Sequence, residues 1–309
     1  MGSRFMPYLQ LALAMIIVGS SVVAGKMIAA SLPVMLSSCL RFAIAAPVLM
    51  LVLLLREGRP KLPTRADMLT LFLQALCGVF LFSVFLLYGV QYTGAIEAGL
   101  ITGTLPAVTA VLAVVLLRER LNAWQSAGIA CAVLGAVLLN ILSPEAAGKT
   151  SSSLLGIGLV FAAVLCEALF VVLGKRTEGR LSALTIATAM SVLGFLLFLP
   201  FALRDATHFD FSRTTLLDWS LVAYFGLVVS VGAFWLFYAG LARVPASVAG
   251  AFMAFLPLSA VGFSALILGE PVRGLHVVAG ACVVVGIMLA SVNPRAGEMK
   301  NSEKHCYGK

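Results

Sequence analysis

Apolar stretches of about 20 residues recur from one end of this chain to the other, and no other feature limits the fold as strongly. A bilayer's hydrocarbon core is about 30 Å thick, which a helix rising 1.5 Å per residue crosses in about 20 residues. Composition agrees. Of the 309 residues, 61% are apolar and 11% charged, with a mean hydropathy of +1.07, against roughly 45–50% and 25% in soluble domains. Stretches bounded by charge, Pro or Gly predict ten helices, near 7–25, 33–55, 68–90, 95–117, 123–142, 154–174, 182–203, 217–240, 246–268 and 273–292. Helix is the expected form because an unpaired backbone group in lipid costs several kcal/mol, and the ten-residue alternation of a membrane barrel is absent. The first stretch lacks the small-residue exit of a signal peptide and reads as a retained helix. The longest polar connections are Arg56–Ala66, Ser143–Ser153, Arg204–Thr215 and the segment after Asn293.

The 21 Lys and Arg against 13 Asp and Glu give a net charge of +8. In a soluble protein that excess would suggest a polyanionic partner; here the basic residues sit in connections and in the C-terminal tail, so no nucleic acid is expected. Alternating the connections from a cytoplasmic N-terminus puts fifteen basic residues inside and five (Lys26, Lys149, Arg204, Arg213, Arg273) outside, with Arg41 within a span. That bias predicts both termini in the cytoplasm and an even number of spans. A bacterial inner membrane is the expected location. Five of the six cysteines lie in apolar stretches and no CxxC pair occurs, which supports neither a disulfide framework nor a zinc site.

Sliding the chain by 151 residues lays 95–141 over 246–292 with twelve identities in 47 positions, including Pro106/Pro257, Glu119/Glu270, Cys131/Cys282 and Gly135/Gly286. An offset of 149 aligns Gly25-Lys26 with Gly174-Lys175. The expected units are therefore 1–150 and 151–292, followed by a cytoplasmic tail, 293–309. Five helices per unit is an odd number, so the second unit enters the membrane from the opposite side. The predicted fold is an all-α polytopic membrane protein, ten transmembrane helices as two inverted five-helix repeats. Inverted repeats have a direct physical use: they give inward- and outward-open states of similar energy around a midplane site.

The chain resembles the drug/metabolite transporter superfamily, in its EamA-like ten-helix form. The resemblance rests on Pro33-Val34-Met35-Leu36 leading to Leu40-Arg41-Phe42, on Tyr92-Thr93-Gly94-Ala95 with Leu105-Pro106-Ala107-Val108, on Leu117-Arg118-Glu119-Arg120 before Gly128 and Gly135, and on the second copy from Leu256-Pro257-Leu258 through Gly269-Glu270-Pro271 to Gly286. Val18-Gly19 stands where members often carry Trp-Gly. The resemblance implies a carrier of small metabolites, most often an amino-acid or related exporter; choline-like or drug cations are the alternative.

Glu167 falls mid-span, where a charge is expensive and usually faces a cavity. It is expected to bind a substrate ammonium or carry a coupling proton, the alternative being a protonated carboxyl bonded between helices. Ser20, Ser21 and Thr102 offer small polar surface, and Tyr88, Phe170, Trp235 and Phe252 are the aromatic candidates for substrate contact, with packing and interfacial roles as their alternatives. Pro106 and Pro257 predict mid-span kinks or gates. Arg41 and Glu97 have depths compatible with a structural ion pair. Lys26 and Lys175 end helices, where a cation complements the carbonyl dipole. Glu119 and Glu270, at span ends on opposite faces, suggest helix-end or loop contacts between the halves, with gating as the alternative. The three histidines lie in connections, at a span edge or in the tail, and no HExxH, GxSxG or Walker sequence occurs, so neither enzyme chemistry nor a cofactor is expected. The expected partners are a small-molecule substrate, the lipid bilayer and protons as coupling ion, with the chain acting as a monomer or homodimer.

Overall fold

The computed structural model describes residues 5–29, 31–58, 63–93, 95–141, 153–177, 179–269 and 274–291; the side chains of Lys26, 95–97, Asn140 and Leu268 lie outside the described set. Helices account for nearly all of it: α1 (Met6–Ala29), α2 (Val34–Glu57), α3 (Arg65–Tyr92), α4 (Ala95–Gly103), α5 (Leu105–Leu117), α6 (Ala123–Ile141), α7 (Leu154–Arg176), α8 (Ala183–His208), α9 (Leu216–Leu241), α10 (Ala246–Phe252), α11 (Phe255–Leu268) and α12 (Gly274–Ala290). Seven helical segments are long and apolar enough to cross a membrane: α1, α2, α3, α7, α8, α9 and the run Ala246–Ile267 across α10 and α11. Three shorter apolar helices, α5, α6 and α12, join them. No strand occurs among the described residues.

The expected helix over 95–117 breaks at Thr104 into α4 and α5, and that over 246–268 breaks between Phe252 and Phe255 into α10 and α11. Pro106 and Pro257 explain both breaks, since each lacks the N–H that would continue the ladder and its ring crowds the preceding turn. Two other helices carry internal π-helical turns, Leu76–Leu81 in α3 and Phe225–Ala233 in α9. Such turns widen the helix locally and occur frequently at functional sites.

The helices pack as α2 on α8, α3 on α7, α1 on α9 and α11, α5 on α7 and α10, and α6 on α12. Phe42, Phe198, Leu49 and Tyr238 are fully or almost fully buried between them. Glycine permits the closest approaches. A Cβ at Gly135 would stand 2.7 Å from Ala279 O and from Val283 N, and one at Gly286 would stand 2.4 Å from Ala132 N and 2.7 Å from Gly128 O. Adding or subtracting 151 turns the first set of residues into the second.

The same offset relates several local structures. Thr64 and Asp67 form a capping box at the start of α3, and Thr215 and Asp218 form one at the start of α9. Each aspartate is also held by a connection in the other half of the chain: Arg180 Nη2 stands 3.0 Å from Asp67 Oδ1, and the Ser31 hydroxyl donates to Asp218. Helices α5 and α11 end on left-handed residues, Arg118 (φ 57°) and Gly269 (φ 69°). Thr64→Val and Thr215→Val should each cost about 1 kcal/mol through loss of the cap, read as a lowered melting midpoint of the detergent-solubilised protein.

Candidate functional site

Residues at the two helix breaks and at the start of the second π-turn line one cavity of about 910 Å³. Its lining runs from Glu167 in the middle of α7 and Pro106 and Pro257 at the two helix breaks to residues at or near helix ends, Ala29, Val34 and Thr93. It therefore reaches the end of the bundle that carries Ser31. Both halves contribute: Ser21, Ser37, Ser38, Arg41, Ser83 and Thr102 from the first, Glu167, Phe225 and Met253 from the second. Phe82 directly follows the first π-turn and Phe225 opens the second, so the two irregular turns each bring an aromatic ring to the wall.

Glu167 makes no hydrogen bond or ion pair with another described residue, and it lines the cavity rather than bridging helices. Arg41 lines the same cavity from α2, its guanidinium carbon 4.5 Å from the centroid of the adjacent Phe42 ring. Among the described residues its buried Nε has no hydrogen-bond partner, nor has the hydroxyl of Thr93. The expected partner of Arg41, Glu97, has a side chain outside the described residues. Ser21 and Thr102 lie in the wall and donate to their own helices, Ser21 to Val18 O at 2.6 Å and Thr102 to Ala98 O at 2.9 Å.

The remaining candidates are placed elsewhere. The Ser20 hydroxyl bonds Tyr224 and Ile17 O. Tyr88, 47% exposed, borders a separate surface pocket with Arg204 and His208, and Trp235, 46% exposed, lies on the outer surface of α9. Phe170 is buried among Phe234, Phe237 and Tyr238, and Phe252 stacks on Tyr8 at 5.9 Å. Among the polar and aromatic residues of the wall, Ser37, Ser38, Ser83, Thr93 and Phe225 were not anticipated from sequence. One signal was available: Ser37, Ser38 and Arg41 stand at i, i+1 and i+4, the spacing of one helix face.

At the opposite end of the bundle the two halves are joined by side-chain contacts. The left-handed Arg118 ends α5 and turns Glu119 onto the first turn of α10, where Oε1 accepts from Ala246 N–H at 2.7 Å and Oε2 accepts from Ser247 N–H at 3.1 Å and from its hydroxyl at 2.7 Å. A carboxylate here satisfies orphan N–H groups and complements the helix dipole. Glu270, its counterpart by offset, lies outside the described residues. Lys175 donates to Leu241 O at 3.1 Å, tying α7 to the end of α9. Among the described residues, no three His, Cys, Asp or Glu side chains cluster to hold a metal ion.

A family model described as the EamA-like transporter family matches residues 5–141 and 154–292. A protein of Bacillus subtilis (strain 168) named "Uncharacterized transporter YetK" is 46% identical over 289 residues, 93% of this chain and 87% of that one. A protein of Streptantibioticus cattleyicolor named "Probable terminal-alkyne amino-acid exporter" is 28% identical over 218 residues, 70% of this chain and 71% of that one. A crystal structure 18% identical in sequence superposes with a TM-score of 0.76 over 94% of this chain and 97% of the other, a likeness of fold.

Proposed function

The chain belongs to the EamA-like transporter family, and on that premise we propose that it is a secondary-active transporter that moves amino acids or related small metabolites outward by alternating access. The observation that carries this reading is the cavity: it is lined by both halves, reaches mid-helix depth at two proline breaks, and opens toward one end while Glu119 and the Asp67–Arg180 pair close the other. A pore would be continuous between both ends. One end open and one end shut is the geometry of a carrier in one of its two states. The exporter name of the Streptantibioticus cattleyicolor relative supports the substrate class.

The architecture belongs to the same proposal. Ten crossing helices arranged as inverted repeats, 1–150 and 151–292, account for contacts that map onto themselves under the 151-residue exchange. With the basic-residue bias placing the termini and the tail 293–309 in the cytoplasm of a bacterial cell, the Arg180 end is cytoplasmic and the cavity faces outward. Glu167 then binds either a proton admitted from outside or the ammonium of the solute. A single carboxylate cannot hold both, and that exclusion couples the two fluxes.

Counterflow in proteoliposomes tests the carrier reading. Unlabelled amino acid inside should accelerate uptake of the labelled species several-fold; no trans-stimulation by any of the twenty amino acids would overturn amino-acid carriage. Glu167→Gln should lower proton-driven transport by about tenfold or more, since a hydrogen bond to a charged group contributes ~1.5–3 kcal/mol, and should flatten its dependence on pH. Unchanged rate and pH profile would remove Glu167 from the coupling. A second reading, carriage of choline-like or drug cations, is favoured by Phe82 and Phe225 in the same wall as Glu167.

A further inference from the structure

We propose that Arg41 is the anion receptor of the transport cavity, and that the solute is a zwitterion whose carboxylate it binds while Glu167 takes the ammonium. The inference rests on the carrier reading and narrows its substrate. An acidic and a basic side chain stand in the wall of one largely apolar cavity, and neither forms an ion pair with the other or with another described side chain. An ion in an apolar wall is costly unless something in the cavity answers it. A purely cationic solute answers Glu167 and offers nothing to Arg41, whereas an anion does the reverse. A zwitterion matches both at once and enters with no net charge to move across the membrane.

The setting of Arg41 suits this role. The adjacent Phe42 ring lies against one face of its guanidinium, which limits the directions in which the planar donor fork can turn. Its buried Nε has no hydrogen-bond partner among the described residues, an unmet donor of the planar fork with which arginine binds a carboxylate. The wall also holds Ser38 and Thr93, the hydroxyl of the latter without a partner among the described residues, while the Ser37 hydroxyl donates to Val34 O at 3.1 Å.

The experiment is a thermal-shift titration of the purified full-length protein with each standard amino acid, its methyl ester, its decarboxylated amine and choline, in the wild type and in Arg41→Gln. The expected result is that at least one amino acid stabilises the wild type while its ester and amine need about tenfold higher concentration, and that this gap narrows to less than twofold in Arg41→Gln. Arg41→Lys should retain part of the gap. An ester or amine as effective as its parent, or a gap unchanged in Arg41→Gln, overturns the role of Arg41 and leaves the carrier reading standing. Stabilisation by amines or choline alone, or by none of the panel, overturns both the zwitterion and the amino-acid reading. Should Arg41→Gln fail to fold, the ester and amine comparison in the wild type decides the matter.

Discussion

Gly286→Leu is expected to eliminate folded, monodisperse protein. At this position a Cβ alone would lie 2.4 Å from Ala132 N and 2.7 Å from Gly128 O, both backbone atoms of α6. No side chain can turn away to make room, so α12 must move bodily from α6, and the contact between Gly135 and the Ala279–Val283 turn is lost with it. Overpacking usually costs ~1–3 kcal/mol, and a backbone clash at a two-helix seam belongs at or beyond the top of that range. Lipid offers no hydrophobic drive to press the helices back together; close packing of small residues is what holds such seams. Gly128→Leu should behave alike, its Cβ falling 2.3 Å from Ala290 N, whereas Gly158→Leu, with nothing within 4 Å, should fold. Yield and peak shape in size-exclusion chromatography check all three. A normal peak for Gly286→Leu would mean that the α6–α12 seam is not a fixed contact.

The seam shows how far sequence reasoning reaches in such a chain. The Gly135/Gly286 and Cys131/Cys282 matches were visible as identities, but identity alone does not say that the matched residues meet; the structure brings them into one interface, with the Cys131 thiol donating to Cys282 O at 3.3 Å. Helix positions were legible because about 20 apolar residues have few other uses, and the breaks at 104 and at 253–254 followed from Pro106 and Pro257. The π-turns were not legible: Leu76–Leu81 and Phe225–Ala233 are apolar runs like any other, and nothing in their composition distinguishes a five-residue from a four-residue hydrogen bond. Aromatic placement was illegible for a related reason. Lipid and protein interior are equally apolar, so Trp235 on the outside, Phe170 in the core and Phe225 in the cavity carry no distinguishing pattern. The capping boxes at Thr64 and Thr215 could have been read, since each is a Thr three residues before an Asp and the two are 151 residues apart.

On the proposed alternating-access reading, Glu119→Ala is expected to shift the protein toward the state open at the Arg180 end. The carboxylate accepts three hydrogen bonds from the first turn of α10 and joins the end of α5 to it across the two halves. Hydrogen bonds to charged groups are worth ~1.5–3 kcal/mol, and even ~2 kcal/mol, expressed only in the closed arrangement, is about a thirtyfold change in the ratio of the two states. Two cysteines introduced singly, with the native cysteines replaced, report the shift. Val248→Cys lies buried in the turn that Glu119 caps, and Ser38→Cys stands in the cavity wall. In the wild type a polar maleimide should label position 38 quickly and position 248 slowly. In Glu119→Ala the labelling at 248 should rise at least tenfold while that at 38 falls, because opening one end of an alternating-access carrier closes the other. A rise at 248 with no change at 38 would mean that removing the cap only frays α10, and Glu119 would then be a structural cap rather than part of the gate.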